Sequence, residues 1–322
     1  MKPSDLCARC GKCLSVCPVF RATGRETYSP RGRLMALSGE AESASLLLTC
    51  ILCGACEKTC PNKVPLLETF ARAKLKHPIS TKYALELYDL LRPFASKIRS
   101  AKKDLAHLSQ GKVALFLGCG GEFLYPNAIK HFIKIFPEKE LIFVPQDQTC
   151  CGLPFLAAGD EKAFLKSARQ NLKALSLAEK VTTLCASCFF VLNELYPRLL
   201  GDEYKVLAAK TCEGHSYLFS HRAFKFSVSQ EEIFFQVPCH LKNTEVYPFW
   251  RELGLSYYEG CCGQAGAFGY LFPGYAREIN RKLFKEAFLT GPRFLAAACT
   301  SCLLALKKTF PEYPVKMLVE FC

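Results

Sequence analysis

No run of eighteen or more apolar residues occurs in this 322-residue chain, so a membrane-spanning helix is not expected. The longest apolar stretches, such as "VALFL" and "RFLAAAC", are of strand length and are bounded by glycine, proline or charge. No apolar signal core precedes Cys7, which argues against a Sec-type signal peptide. Two phosphate-cradling patterns are also missing: no GxGxxG opens a helix after a strand, and no GxxxxGK[ST] is present. "GCGGEF" after Leu117 is rich in glycine, yet it carries a cysteine and lacks the downstream acid that a dinucleotide ribose requires. A flavin or nicotinamide site within this chain is therefore not expected.

Cysteine, by contrast, is abundant: there are twenty. A secreted disulfide scaffold would use that many only to staple a chain too short for its own core, and half of this longer chain is hydrophobic. Sixteen of the twenty fall into CxxCxxCxxxC, CC or CxxC groups, which suit metal or cluster ligation in a reducing compartment. A cytoplasmic location follows, with membrane contact at most peripheral, on the inner face.

Cys7, Cys10, Cys13 and Cys17 follow C-x2-C-x2-C-x3-C, with Pro18 next; Cys50, Cys53, Cys56 and Cys60 repeat the spacing, with Pro61 next. This is the spacing of bacterial two-cluster ferredoxins, in which the fourth cysteine of each run ligates the other cluster. Three thiolates on one tight loop reach three corners of a cubane, and the fourth corner needs a ligand from elsewhere. Cys7, Cys10, Cys13 and Cys60 are thus assigned to one [4Fe–4S] cluster, and Cys50, Cys53, Cys56 and Cys17 to a second. Gly11 and Gly54 let the backbone wrap close to inorganic sulfide. Zinc needs only two CxxC pairs and leaves the third cysteine and the Cys-Pro of each run unexplained. "SPRGR" at Ser29–Arg33, between the runs, has two readings: a cationic shield or steering patch, and a helix start with a solvated basic face.

Residues 1–78 read as a mostly helical ferredoxin-type domain, and residues 79–110 as linking helices broken at Pro93. From Gly111 the chain repeats itself, as residues 111–225 and 226–322. Each copy runs strand–Cys, Cys–Cys–Gly, helix, strand–CxxC, helix. Strands alternating with helices predict α/β, Rossmann-like halves with largely parallel sheets, so the whole is an α+β multidomain chain. Five thiols per copy would converge at the carboxyl ends of the strands: Cys119, Cys150, Cys151, Cys185 and Cys188, then Cys239, Cys261, Cys262, Cys299 and Cys302. Five exceed what either zinc or a cubane needs. Zinc at one pentad, or redox-active vicinal pairs, remain alternatives. His240 in "PCHL" reads either as a ligand or proton donor or as hydrogen-bonded support; Cys212 and Cys322 read as ordinary thiols.

The doubled C…CCG…CxxC pattern resembles the cysteine-rich (CCG) domains of heterodisulfide reductase catalytic subunits. Behind a two-cluster ferredoxin segment, it is also similar to the iron–sulfur subunits of glycolate or D-lactate oxidase and of anaerobic glycerol-3-phosphate dehydrogenase. The resemblance implies one or two non-cubane [4Fe–4S] clusters held by the pentads, which are then either a relay or the catalytic centre. It also implies an FAD-containing dehydrogenase subunit as electron donor, with a further electron-transfer subunit as a second partner. The formal charge of +13 does not point to nucleic acid. Four thiolate-ligated clusters would offset roughly ten of those charges, leaving about +3. The function so implied is that of an iron–sulfur electron-transfer subunit in a flavoprotein 2-hydroxy-acid dehydrogenase complex, the alternative being a heterodisulfide (thiol–disulfide) reductase.

Overall fold

The fold is built around two four-stranded sheets in which every neighbouring pair is parallel. It is seen in a computed structural model that describes residues 2–38, 44–76, 100–221, 225–242, 244, 247–265, 268–285 and 291–322. The first sheet holds β1 (Val113–Leu115), β2 (Ile142–Phe143), β3 (Lys180–Thr183) and β4 (Thr211–Glu213) in the order β2-β1-β3-β4. The second holds β5 (Ile233–Pro238), β6 (Ser256–Gly260), β7 (Phe294–Ala297) and β8 (Val315–Met317) in the order β6-β5-β7-β8. The two orders are the same once the copies are superposed, so the repeat seen in the cysteines extends to the topology. Registers correspond too: Val113 pairs with Lys180, and Ile233 with Phe294. Strands covered on both faces are mostly apolar, and all six residues of β5 are buried, Gln236 among them. The edge strands β4 and β8, three residues each, were not anticipated.

The helices show why they form where they do. Glu161–Ala174 starts at Asp160, whose carboxylate accepts the Ala163 amide at 2.9 Å. Its buried stripe, Phe164, Ser167, Ala168 and Asn171, recurs at three- and four-residue steps. Leu66–Lys76 buries Leu67, Phe70, Ala71 and Lys74 in the same way.

The amino-terminal region is helical and short-looped, as expected. Its two cysteine loops adopt matching backbone turns: Arg9 and Gly11 have φ of 56° and 78°, and Leu52 and Gly54 have 57° and 75°. A left-handed residue two positions after Cys7, and again after Cys50, curls each loop so that three thiols face one side. Asn62 ties the second run to the first by donating to the Leu6 carbonyl at 2.8 Å. This region touches both halves: Pro18–Thr23 packs on Pro273–Phe284 of the second, and Leu66–Lys76 on Leu153–Ala158 and Tyr196–Leu200 of the first. Residues 77–99, which hold Pro93 and most of the expected linking helices, lie outside the described residues; a short helix, Ala101–Asp104, follows them.

Candidate metal centres

Because all strands of a sheet run the same way, their carboxyl ends share one edge, and the cysteines follow those ends. Cys119 lies at the start of a π-helical turn after β1, four residues beyond the paired strand rather than at its last residue. Cys150 and Cys151 follow β2, and Cys185 caps the helix Ala186–Phe190 after β3. In the second half Cys239 directly follows β5, Cys261 and Cys262 directly follow β6, and Cys299 caps Thr300–Thr309 after β7.

The members of each group meet. The Sγ atoms of Cys119 and Cys150 are 3.8 Å apart, and Cys188 is in hydrogen-bond contact with Cys151 and Cys185. In the second half Cys262 and Cys302 are 3.4 Å apart, while Cys261 contacts Cys239. Glycine after each vicinal pair offers its amide to the first sulfur: Gly152 to Cys150 at 3.5 Å and Gly263 to Cys261 at 3.3 Å. Asn171 and Tyr196 brace the first pair from behind, donating to the carbonyls of Cys150 at 3.0 Å and Cys151 at 2.8 Å. Asn171 was missed in the sequence, although a polar residue on the buried stripe of an amphipathic helix was the available signal.

One pair of equivalent residues of the two copies meets: Cys185 and Cys299 approach to 3.9 Å. Beside them the Ala186 amide donates to the Ala298 carbonyl at 3.0 Å. A contact between equivalent positions is what a pseudo-twofold relation between facing halves produces. Ser187 and Thr300 stand at the junction: Ser187 Oγ lies 3.2 Å from Cys299, and Thr300 Oγ1 3.3 Å from Cys185. The His240 ring is buried, stacks on Phe190 at 4.4 Å, and shares a 3.0 Å hydrogen bond between Nδ1 and Ser187 Oγ. Sequence reasoning picked out His240 but not Ser187 or Thr300, whose roles depend on how the halves dock.

The ferredoxin-type cysteines line two cavities. One is bounded by Cys7, Cys10, Cys13 and Cys60, with Arg9, Lys12 and Arg31 at its wall. The other is bounded by Cys17, Cys50, Cys53 and Cys56, with Arg33 and apolar side chains such as Leu67 and Phe70. These are the two sets expected from the spacing, each mixing three cysteines of one run with one of the other. "SPRGR" starts a helix as expected, but its basic face is not a solvated one, since Arg33 is buried. Ser29 Oγ accepts the Gly32 amide at 2.9 Å and starts the helix Pro30–Ser38, while Arg31 and Arg33 reach one cavity each.

The second cavity adjoins the second pentad. Cys17 and Ile51 pack with Cys239 and Cys261 in one buried cluster that Cys53 flanks. Burial, and then the charge of Cys261, pushes the Cys53 thiol well up; burial and Cys53 do the same to Cys56. Hydrogen bonding to Cys150 drives the Cys119 thiol up, and contacts with Cys262 and Cys299 drive Cys302 up. Contact with Cys188, then Cys299, holds Cys185 low. So many buried thiols cannot ionise together without cations among them, and a metal that displaces their protons relieves the crowding. The donor sets thus fit thiolate-bound iron: sulfur only, in walls of apolar and cationic side chains, with no competing carboxylate among the described cavity residues. Among the described residues no three ligating side chains close around a point as a single ion would require.

Comparison with known proteins agrees with this geometry. Residues 3–64 match the 4Fe–4S dicluster domain, and residues 113–193 and 233–307 match the cysteine-rich (CCG) domain. The chain is therefore an iron–sulfur protein made of a 4Fe–4S dicluster region and two CCG domains, and it belongs among the iron–sulfur subunits of oxidoreductases. Its relatives are distant. One is a subunit of the dihydromethanophenazine:CoB–CoM heterodisulfide reductase of Methanosarcina mazei, 23% identical across 98% of this chain and 91% of the relative. Another is the glycolate oxidase iron–sulfur subunit of Escherichia coli, 22% identical across 92% and 88%. A third is a subunit of the fumarate reductase (CoM/CoB) of Methanothermobacter marburgensis, 23% identical across 95% and 68%. Among the described residues, no helix is long and apolar enough to cross a membrane.

Proposed function

We propose that this chain is the iron–sulfur electron-transfer subunit of a flavoprotein 2-hydroxy-acid dehydrogenase complex of the glycolate or D-lactate type. Cys7, Cys10, Cys13 and Cys60 would hold one cubane, and Cys50, Cys53, Cys56 and Cys17 the other. The two pentads, Cys119–Cys150–Cys151–Cys185–Cys188 and Cys239–Cys261–Cys262–Cys299–Cys302, would hold one further cluster each. Bound there, [4Fe–4S] clusters supply one-electron storage and transfer, so a two-electron substrate requires a flavin on a partner to divide the pair.

The observation that carries the reading is the unbroken adjacency of the sites. The first cavity shares its two cysteine runs with the second, the second packs on Cys239 and Cys261, and Cys299 meets Cys185 at 3.9 Å. The protein's own residues keep this line dry inside and open at its ends. Cys10 and Cys119 are exposed, whereas all five cysteines of the second pentad are buried. An FAD-containing subunit would dock near Cys10, and the acceptor would meet the chain near Cys119.

That opening at Cys119 favours a second reading, thiol–disulfide reduction with the first pentad as the catalytic site. The test is iron and acid-labile sulfide per chain on protein purified without oxygen, followed by reduction with a glycolate- or lactate-oxidising flavoprotein and, separately, reoxidation by a disulfide. About sixteen irons are expected if all four sites hold [4Fe–4S] clusters. About eight irons, with zinc making up the difference, would sink both readings of the pentads. Disulfide turnover without any response to the flavoprotein would select the second reading.

A further inference from the structure

Two cations are buried beside the second cavity with no anion to match them among the described residues. Arg33 is 2% exposed and Lys74 1% exposed. Arg33 gives its guanidinium to neutral oxygens only: the Thr49 carbonyl at 2.8 Å, Thr49 Oγ1 at 2.8 Å, and the Leu46 carbonyl at 3.3 Å. Lys74 Nζ donates to the Ala157 carbonyl at 3.2 Å. Neither forms an ion pair among the described residues. Arg33 lines the cavity of Cys17, Cys50, Cys53 and Cys56, and Lys74 lies within electrostatic reach of Cys50 and of Arg33 itself.

Burying a charge costs a great deal unless an opposite charge is near, and burying two like charges close together costs more. Chains keep such an arrangement where an anion arrives later. The first cavity is arranged differently. Its cations Arg9 and Lys12 are exposed, and Arg31 is matched by Glu26 at 2.9 Å, so water and a carboxylate weaken their field.

Resting on the reading that both cavities hold clusters, we infer that Arg33 and Lys74 are the built-in counter-charges of the second one and make it the more easily reduced of the pair. The charge balance is direct. A [4Fe–4S] core with four thiolates carries roughly −2, and one added electron takes it to roughly −3. Fixed positive charges in a dry site favour the more negative state, and they do so far more strongly than exposed ones. An electron arriving at the Cys7 site would then run downhill to the Cys50 site, in the direction of the pentads. Arg33 and Lys74 are positioning residues in this scheme; neither touches a reacting atom.

The test is an EPR-monitored redox titration of the full chain, loaded anaerobically, with dithionite as the electron source. Lys74→Met removes the charge while keeping an apolar stem in an apolar site, so folding should survive. One midpoint should fall by at least a tenfold change in its reduction equilibrium, which is 59 mV for a one-electron couple. Lys74→Arg should restore it. Arg33→Lys should hold it near its original value, whereas Arg33→Gln should lower it. The exposed control Lys12→Met should move every midpoint by much less. The inference fails if Lys74→Met leaves all midpoints within a twofold change in equilibrium, or shifts them no more than Lys12→Met does. A separate variant, Cys53→Ala, which leaves no donor atom in place, guards the premise: if it loses no iron, the cluster assignment falls, and the charge argument falls with it.

Discussion

The two CCG halves share a strand order, a register and a set of five cysteines, yet their sites sit in different surroundings. In the first half Cys119 is exposed and Cys150 partly so; in the second all five are buried. The cause lies outside the halves. Cys17, Ile51 and Val19 of the ferredoxin region pack over Cys239 and Cys261, and nothing equivalent among the described residues covers Cys119. Duplication copied the cysteines, and docking of a third element gave the two sets different surroundings. A buried site between two others suits an internal relay, and an exposed one at the end of the line suits exchange with something outside.

Breaking the inner site should have the largest effect. Cys262→Ala removes a buried thiol that contacts Cys302 at 3.4 Å, and should cost that half's share of iron, about four per chain. It should also stop electrons supplied at the ferredoxin end from reaching the first pentad. Cys119→Ala should lose a similar amount of iron yet leave the second pentad reducible. Equal behaviour of the two variants in iron content and stepwise reduction would erase the distinction between relay and terminus.

Next in size is a change to the second half's core. Trp250 is 1% exposed and stacks on Phe235 of β5 at 4.9 Å. Trp250→Ala should cost about 3–5 kcal/mol, read by denaturant unfolding. Because one buried apolar cluster runs from Leu34 through both sheets to Phe321, that loss should appear as a shift of a single transition. Two separated transitions would show the halves to be energetically independent.

The comparison of exposure has a chemical form. In iron-free protein, a maleimide should label Cys119 about a hundredfold faster than any cysteine of the second pentad, since a buried thiol reacts only through local opening. Mass spectrometry of a labelling time course reads the ratio. Comparable rates would mean that the second site opens readily and is not sealed by the ferredoxin region.

Much of this arrangement was legible in the chain. The mixing of cysteines from both runs in the lining of each cavity was to be expected from the spacing of Cys7–Cys17 and Cys50–Cys60, because a tight loop presents three thiols and no more. The strands β1, β2, β3, β5 and β7 announce themselves as short runs rich in apolar or β-branched residues followed by a cysteine. Strands β4 and β8 do not, being three residues long at a sheet edge and set by pairing with β3 and β7. The contacts of Ser187, His240 and Thr300 with one another's halves were equally out of reach, since no local pattern encodes how two domains dock. Arg33 could be seen in "SPRGR", but its burial, and the company of Lys74, could not. On a helix of mixed charge, a lysine at a core-facing step is an easily missed signal.

The smallest expected effect concerns how the ferredoxin region is held to the first half rather than the second. Arg198 Nη1 lies 2.6 Å from Glu57 Oε1, and Arg72 donates to the Arg198 carbonyl at 2.6 Å. Glu57 also accepts the Leu67 amide at 2.8 Å, so the carboxylate is anchored on its own side before it meets the arginine. The contrast is with the apolar seam between Cys17 and Cys239 on the other half. Arg198 remains 31% exposed, and solvent screens the pair. A double-mutant cycle of Arg198→Met and Glu57→Gln should therefore give a coupling of about 0.2–1 kcal/mol, shrinking as salt rises. The side-chain oxygen of Glu57→Gln still accepts from Leu67, so the cycle removes the charge and its hydrogen bond to Arg198 without freeing the Leu67 amide. A coupling well above that range and insensitive to salt would mean that this contact, and not the apolar seam, sets the placement of the ferredoxin region over the two halves.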